Sequence, residues 1–354
     1  MNGSRRIESM KTIAPNGKGG VAMREAPMPE LFPRSALCRM THSLISAGTE
    51  KGIIQSCKGK SAAFLKKNNI RLGYLGAGIV EKTMGKVSAQ KGARVAFYGA
   101  PYVTHSEYVV VPEKLLYPLP EGVPSEWGAF MGIAAIAMHG FRKGQVSLGE
   151  ICLISGAGII GNLCAQLAML SGCRVVLCDY ERSRLETFKK CAPAEGDFVC
   201  SSPDDAEKAL NRFDAAIGAD AVLLCMGASS ARPMAQAVKL VRPGGRIVIV
   251  GTLDIQIPRE DFFMKEAEVT ISRAAGPGRY DLSYEKDGRD YPMQYIRWTE
   301  GRSAAESLRL IGAGKLQVEP LLSHIYPIGK FQTAYDDILK GKPEMGYILD
   351  WSHR

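Results

Sequence analysis

The chain has 354 residues, 46% hydrophobic and 23% charged, proportions that exclude disordered and collagen-like classes and leave room for two domains of about 100–200 residues each. The polar opening MNGSRRIESMKTIAP, apolar runs well short of the ~18 residues a membrane span needs, and nine cysteines without a CxxC pair lead us to expect a cytoplasmic protein in a reducing compartment. The net charge of +9 sits in residues 1–120, which carry 18 Lys and Arg against 7 Asp and Glu. With no interleaved aromatics and no nucleic-acid module this excess argues against a nucleic-acid partner, and it leaves a solvated basic face or an anionic small substrate.

Up to about Pro120 the chain reads as short strands broken by glycine, among them GYLGAGIVEK, GARVAFYG and SEYVVVP. From about Glu121 strands and helices alternate: ICLIS, a helix ending at Leu170, RVVLC, a helix over 181–191, DAVLLCM, a helix over 232–240, then RIVIVGTL and VTISR. That alternation predicts a doubly wound parallel sheet, hence an α/β fold with a β-rich partner domain. A loop-rich stretch follows, then a helix over 303–312, a strand-like VEPLLSHIYPI and a last helix over 331–339. The expected division is a β-rich domain of residues 1–120 with 275–354, around a nucleotide domain of 121–274.

The strand ICLIS runs into Gly156, Ala157, Gly158, Ile159, Ile160 and Gly161, a GxGxxG placed directly between a strand and a helix. The first glycine makes the tight turn, the second lets backbone approach a pyrophosphate, and the third lets helix and strand pack closely. The free N–H groups of the helix start then face the phosphates. Eighteen residues beyond Gly161, at the end of the next strand, Asp179 stands where a carboxylate accepts hydrogen bonds from the adenosine ribose. This favours NAD(H) over NADP(H), although Arg182 and Arg184 lie close to where a 2′-phosphate would sit. Met226 and Gly227 after DAVLLCM, and Val250 and Gly251 in RIVIVG, complete the expected cofactor residues.

With HSEYVVVP at 105–112, AMHG at 137–140, RPGGRIVIVG at 242–251 and the closing KLQVEPLLSHIYPIGKFQTAYDDILKGK, nearly the whole chain resembles the medium-chain dehydrogenases/reductases, the alcohol dehydrogenase superfamily. The resemblance implies a GroES-like catalytic domain, a Rossmann domain, a substrate cleft between them, and a homodimer paired through the last sheet strand. Where zinc-dependent members carry their metal ligands this chain has Ala47, Tyr74 and Gly132; alanine and glycine offer no ligand, and a catalytic zinc needs about three. No metal site is therefore expected. SLISAGTE (43–50), LGY (72–74), GPGRYD (276–281) and DYPxxYxRWTE (290–300) resemble the dehydrogenase half of bi-domain oxidoreductases, which are associated with sugar-modifying pathways. The SAGTE turn also resembles a bacteriochlorophyllide dehydrogenase group, so the substrate class stays open.

Hydride transfer to a carbonyl leaves an alkoxide that must be stabilised and protonated. By the same resemblance Thr49 matches the hydroxyl residue that contacts the substrate oxygen, and Tyr74 stands in the vacated zinc position. Glu50 and Lys51 follow in the same turn as candidates for tuning or relaying a proton. His105, Arg279, Tyr280, Arg297 and Trp298 are the expected substrate-binding residues, since guanidinium forks suit carboxylate or phosphate and aromatic faces suit sugar rings. The basic stretch 51–71 is expected to cover the cleft mouth for an anionic or phosphorylated substrate. The sequence thus points to a zinc-free, NAD(H)-dependent dehydrogenase or ketoreductase acting on a secondary alcohol or ketone of a sugar- or cyclitol-like molecule. An NADPH-dependent enoyl or quinone reductase and a non-catalytic nucleotide-binding subunit are the alternatives.

Overall fold

In the computed structural model, residues 9–192, 196–213, 217–256 and 258–352 are described. Two large sheets organise them. The first is parallel throughout, in the order Phe198–Ser201, Arg174–Cys178, Ile151–Ser155, Ala219–Leu224, Val241–Ile249, Glu268–Ile271. Its strand ICLIS is buried at every position, as expected of a parallel strand with helices on both faces. The chain winds outward from Ile151–Ser155 on one side and returns beside it with Ala219–Leu224. The order therefore reverses between these two strands, and a crevice opens at their carboxyl ends.

The second sheet runs His324–Pro327, Tyr347–Asp350, Ser35–Leu44, Leu75–Met84, Arg94–Tyr98, Leu116–Pro118, with Tyr108–Pro112 pairing to Ser35–Leu44. Strands from the end of the chain thus complete a sheet begun near its start, the GroES-like plus Rossmann arrangement. Helix Met131–Gly144 packs against helix Ile159–Leu170 of the parallel-sheet side and against Glu300–Gly312 from the closing segment. Among the described residues no helix is long and apolar enough to cross a membrane.

Three local differences from the sequence reading have physical causes. SAGTE is the first turn of helix Ala47–Ser56, because Glu50 reaches back to accept a hydrogen bond from the Ser46 amide at 2.9 Å. The helix expected over 303–312 starts at Glu300, where the Thr299 side chain caps it by accepting from the Arg302 amide. Only His324–Pro327 of VEPLLSHIYPI is strand; Pro320 sits second in a short 3-10 turn over Glu319–Leu321.

Candidate active site

Gly156 has φ 97 and sits so close to the neighbouring crossover that a Cβ would fall 3.0 Å from both the Met226 Cβ and its amide nitrogen. Its own amide donates to the Cys178 carbonyl at 2.8 Å. A Cβ at Gly161 would lie 1.7 Å from the Gly156 carbonyl oxygen, so only glycine lets helix Ile159–Leu170 meet the turn. Around Gly158, by contrast, a Cβ would meet nothing within 4 Å. This residue opens the helix without a side-chain cap, so the first amides of the helix have no partner within it.

The turn borders a cleft of ≈ 480 Å³. Gly156, Gly158, Ile159, Ile160, Asp179 and Arg184 form part of its wall, continued by Met226, Gly227, Val250 and Gly251. Ala157 is fully buried and contributes its backbone: its amide donates to Asp179 Oδ2 at 2.7 Å, while Oδ1 accepts from the Glu181 amide at 2.8 Å. The carboxylate is thus oriented by two amides at the cleft edge. Arg184 Nη1 lies 3.7 Å from it, and Arg184 Nε donates to the Pro343 carbonyl. The residues fit a dinucleotide: a glycine turn running into a helix start without a side-chain cap, where a pyrophosphate would lie, and a carboxylate held at the cleft edge for a ribose.

The opposite wall is built by Ile45, Ser46, Ala47, Gly48 and Thr49. Tyr74 donates to Ser46 Oγ at 2.8 Å, and Ser46 donates to Thr49 Oγ1 at 3.3 Å. Tyr74, Ser46 and Thr49 thus form a cluster of hydroxyls, of which Thr49 is the exposed member on the cleft wall. Burial raises the Tyr74 phenol above its ordinary value near 10, partly offset by its hydrogen bonds to Ser46 and Thr49, with Glu50 raising it further. It stays a neutral phenol at physiological pH.

Behind this wall, Glu50 is 1% exposed and accepts from the Ser46 amide, from Tyr335 at 2.5 Å and from His105 Nε2 at 3.1 Å. His105 Nδ1 lies 2.8 Å from Ser43 Oγ, which accepts from Trp351 Nε1. One proton arrangement satisfies every member: indole to Ser43, Ser43 to Nδ1, Nε2 to Glu50. His105 was expected at the substrate; it is instead fully buried with both ring nitrogens engaged. Glu50 likewise braces the turn from below, and Lys51 is half-buried on the same helix, outside the cleft wall.

The remaining expected substrate residues separate. Arg279 is 5% exposed, pairs with Glu285 and donates to the Ala100 carbonyl, so its fork is spent inside the protein. Tyr280 beside it is exposed. Trp298 is stacked between Arg142 at 3.4 Å and Arg297 at 4.1 Å, at the base of helix Glu300–Gly312 and outside the cleft wall. Neither Arg297, which is exposed, nor Trp298, over which Arg142 lies, is brought to the cleft wall. In the basic stretch, Lys58, Lys60, Lys66 and Lys67 are exposed. Lys58 and Lys60 pack toward the turn at Gly17 and Gly19, and none of the four lines the cleft.

Among the described residues, the three positions that match zinc ligands in the resemblance hold no donor set. A Cβ at Gly132 would fall 2.5 Å from the Tyr98 Cβ and 2.6 Å from Leu75 Cδ2, so no ligating side chain fits there. Ala47 has none to offer, and Tyr74 is committed to Ser46. Among the described residues no group of three His, Cys, Asp or Glu side chains comes together to hold a metal. Sequence reasoning missed Ser46, whose only signal was its position one residue ahead of a helix. It also missed Ser43, Tyr335 and Trp351, which no local pattern connects.

Residues 160–285 match the family described as zinc-binding dehydrogenase. Among curated proteins the chain is similar to D-xylulose reductase A of Aspergillus oryzae, 28% identical over 70% of this chain and 64% of that protein, somewhat less than two thirds of its length. It is also similar to a probable D-xylulose reductase A of Aspergillus fumigatus, 25% identical over 91% of each. Among solved structures, an Escherichia coli oxidoreductase/dehydrogenase of unknown specificity involved in membrane biogenesis superposes with TM-score 0.77 at 20% identity, covering 97% of this chain and 99% of that one. A putative zinc-binding dehydrogenase of Sinorhizobium meliloti bound to NADP does so at 0.74 and 20%, with the same coverage. The chain has the fold of the medium-chain dehydrogenases/reductases, and its segment 160–285 matches the zinc-binding dehydrogenase family.

Proposed function

We propose that this protein is a nicotinamide-dependent oxidoreductase, NAD(H) being its coenzyme, that interconverts a secondary alcohol and a ketone on a polar, sugar- or cyclitol-like substrate without a catalytic metal. The observation that carries this reading is the hydroxyl chain Tyr74–Ser46–Thr49 ending in the same cleft as the glycine cradle and Asp179. The similarity to D-xylulose reductases supports the alcohol–ketone chemistry.

A nicotinamide bound in this cleft would supply or accept the hydride. The chain's own part is the proton. Thr49 donates to the substrate oxygen, stabilising the charge that grows there as carbonyl becomes alkoxide. When Thr49 gives up its proton, Ser46 replaces it, and Tyr74 replaces that of Ser46. A phenol, even one raised by burial, remains a far stronger acid than an aliphatic alcohol, so the relay runs downhill toward the alkoxide. In the oxidation direction the proton passes along the same chain to the deprotonated form of Tyr74, the phenolate, whose share grows as pH rises. Glu50, held by His105 and Tyr335, fixes the Ser46 backbone and so the spacing of the relay. Asp179 favours NAD(H) by repelling a 2′-phosphate.

The chain also carries an edge for self-association. Strand Glu268–Ile271 ends the parallel sheet and leaves Ile271 61% exposed, and we assign it to pairing with a second copy.

The test is direct. Purified protein is titrated with NADH and NADPH, assayed for bound metal, and assayed for polyol oxidation before and after Thr49→Val. Tighter NADH binding, no stoichiometric zinc, and about a 10²–10³-fold loss of kcat/KM in the variant with unchanged NADH affinity are expected. Full activity in the variant, or activity that depends on added zinc, refutes the reading.

A further inference from the structure

Helix Met131–Gly144 packs against both Ile159–Leu170 and Glu300–Gly312, and the three leave a groove of ≈ 310 Å³ between them. Met138 with Arg142, Leu167 with Leu170, and Glu306 with Leu310 stand three or four residues apart on their helices, so each helix turns one face to the groove. We propose that this groove is a binding site for a small anionic amphiphile, a single alkyl chain ending in a carboxylate, with Arg142 taking the carboxylate and Lys315 assisting from the rim. No residue that lines the groove also lines the coenzyme cleft, so the inference stands apart from the dehydrogenase reading.

The charge balance of the groove points to an anion. The half-buried Arg142 guanidinium lies 3.4 Å from the centre of the Trp298 ring, and its Nη1 donates to Ser303 Oγ at 3.0 Å. Its remaining N–H donors take no other side chain, and among the described residues no carboxylate pairs with it. Glu306 faces the same groove, but Arg309 Nε and Nη2 take its two oxygens at 2.8 and 2.7 Å. Burial pulls the Arg142 guanidinium below its ordinary value, to about 10, with Glu306 opposing the shift and Arg297 adding to it. A cation taken partly out of water without a counter-charge costs free energy, which an arriving carboxylate recovers through charge-assisted hydrogen bonds at the guanidinium edge.

The rest of the groove calls for an alkyl chain. Met138, Leu167 and Leu310 form a buried apolar floor, Phe141 is half-buried beside them, and Leu170 is left 48% exposed at the edge. The volume lies at the small end of the ~300–1,000 Å³ range of ligand pockets, room for one chain rather than a two-tailed lipid. Covering Leu170 and the chain together drives association, and Arg142 selects the head group. A neutral alcohol of the same length gains only the first contribution and acetate only the second.

The experiment measures affinity, so that it does not depend on turnover. The protein is titrated by calorimetry with sodium octanoate, octan-1-ol and sodium acetate, in wild type, Arg142→Gln, Lys315→Glu and Leu170→Glu. The wild type is expected to bind octanoate at least about tenfold more tightly than either comparison compound. Arg142→Gln removes the preference for octanoate over octan-1-ol, Leu170→Glu weakens octanoate about tenfold, and Lys315→Glu weakens it about threefold. Lys315 and Leu170 are exposed, so the latter two variants decide the matter even if Arg142→Gln does not fold. No binding of octanoate, equal affinity for octanoate and octan-1-ol in wild type, or octanoate affinity unchanged in either Leu170→Glu or Lys315→Glu overturns the proposal.

Discussion

The glycine cradle makes a prediction that separates a coenzyme site from a merely tight turn. At Gly158 the backbone φ is −63, accessible to any residue, and a Cβ would touch no protein atom within 4 Å. Gly158→Ala should therefore change the stability of the free protein by less than about 1 kcal/mol, most of it the poorer start that alanine gives a helix. If a pyrophosphate runs across this backbone, the added methyl occupies the space the phosphate needs, and overpacking of that size costs about 1–3 kcal/mol. The NADH dissociation constant then rises about 5- to 150-fold. Gly161→Ala provides the contrast: its Cβ would lie 1.7 Å from the Gly156 carbonyl oxygen and 2.9 Å from the carbonyl carbon. The backbone must move, and stability falls by about 3 kcal/mol or more before any ligand is considered. NADH fluorescence titration reads the first effect and thermal unfolding the second. A Gly158→Ala protein that binds NADH within about twofold of wild type would refute the proposed seating of the dinucleotide, as would one destabilised as much as Gly161→Ala.

Two further outcomes follow from the site and the sheet edge. Because burial lifts the Tyr74 phenol above its ordinary value near 10, its deprotonated form, the base needed for alcohol oxidation, grows as pH rises. The oxidation rate should thus climb through pH 10 in wild type, while Tyr74→Phe flattens the profile and lowers the rate; a pH–rate series in the oxidation direction checks this. Ile271→Lys places a charge on the exposed face of the last parallel strand and should convert a dimer to monomer in size-exclusion chromatography with light scattering. A monomeric wild type, or a variant that stays dimeric, removes that edge as the interface.

Much of the fold was legible because it is local. ICLIS, RVVLC and DAVLLCM are apolar runs bounded by turns, and their alternation with helical periodicity implies a parallel sheet. The helix over 232–240 and the helix over 331–339 fall where the pattern put them. Boundaries shifted where a side chain decided them, as when Thr299 caps the closing helix three residues early. The glycine turn and Asp179 were readable for the same reason: they are consecutive along one strand–turn–helix–strand unit, and steric need dictates residue type at each position.

The substrate side was not legible in that way. Ser46 and Tyr74 lie 28 residues apart, and Glu50 and Tyr335 are 285 apart; whether such hydroxyls form a relay depends on two strands and a distant helix being brought together. His105 was counted among the substrate-binding residues, yet packing sealed it between Ser43 and Glu50. Arginine forks were read as substrate ligands, but Arg279 found its carboxylate six residues on, at Glu285, while Arg142 and Arg297 enclose Trp298. The sequence alone determined the glycine turn proposed to cradle the nucleotide, since backbone conformation and near-neighbour spacing are written locally. Only the tertiary structure decided which polar side chains remain open to the cleft, because a buried charge or hydroxyl is obliged to find a partner and that partner can come from anywhere in the chain.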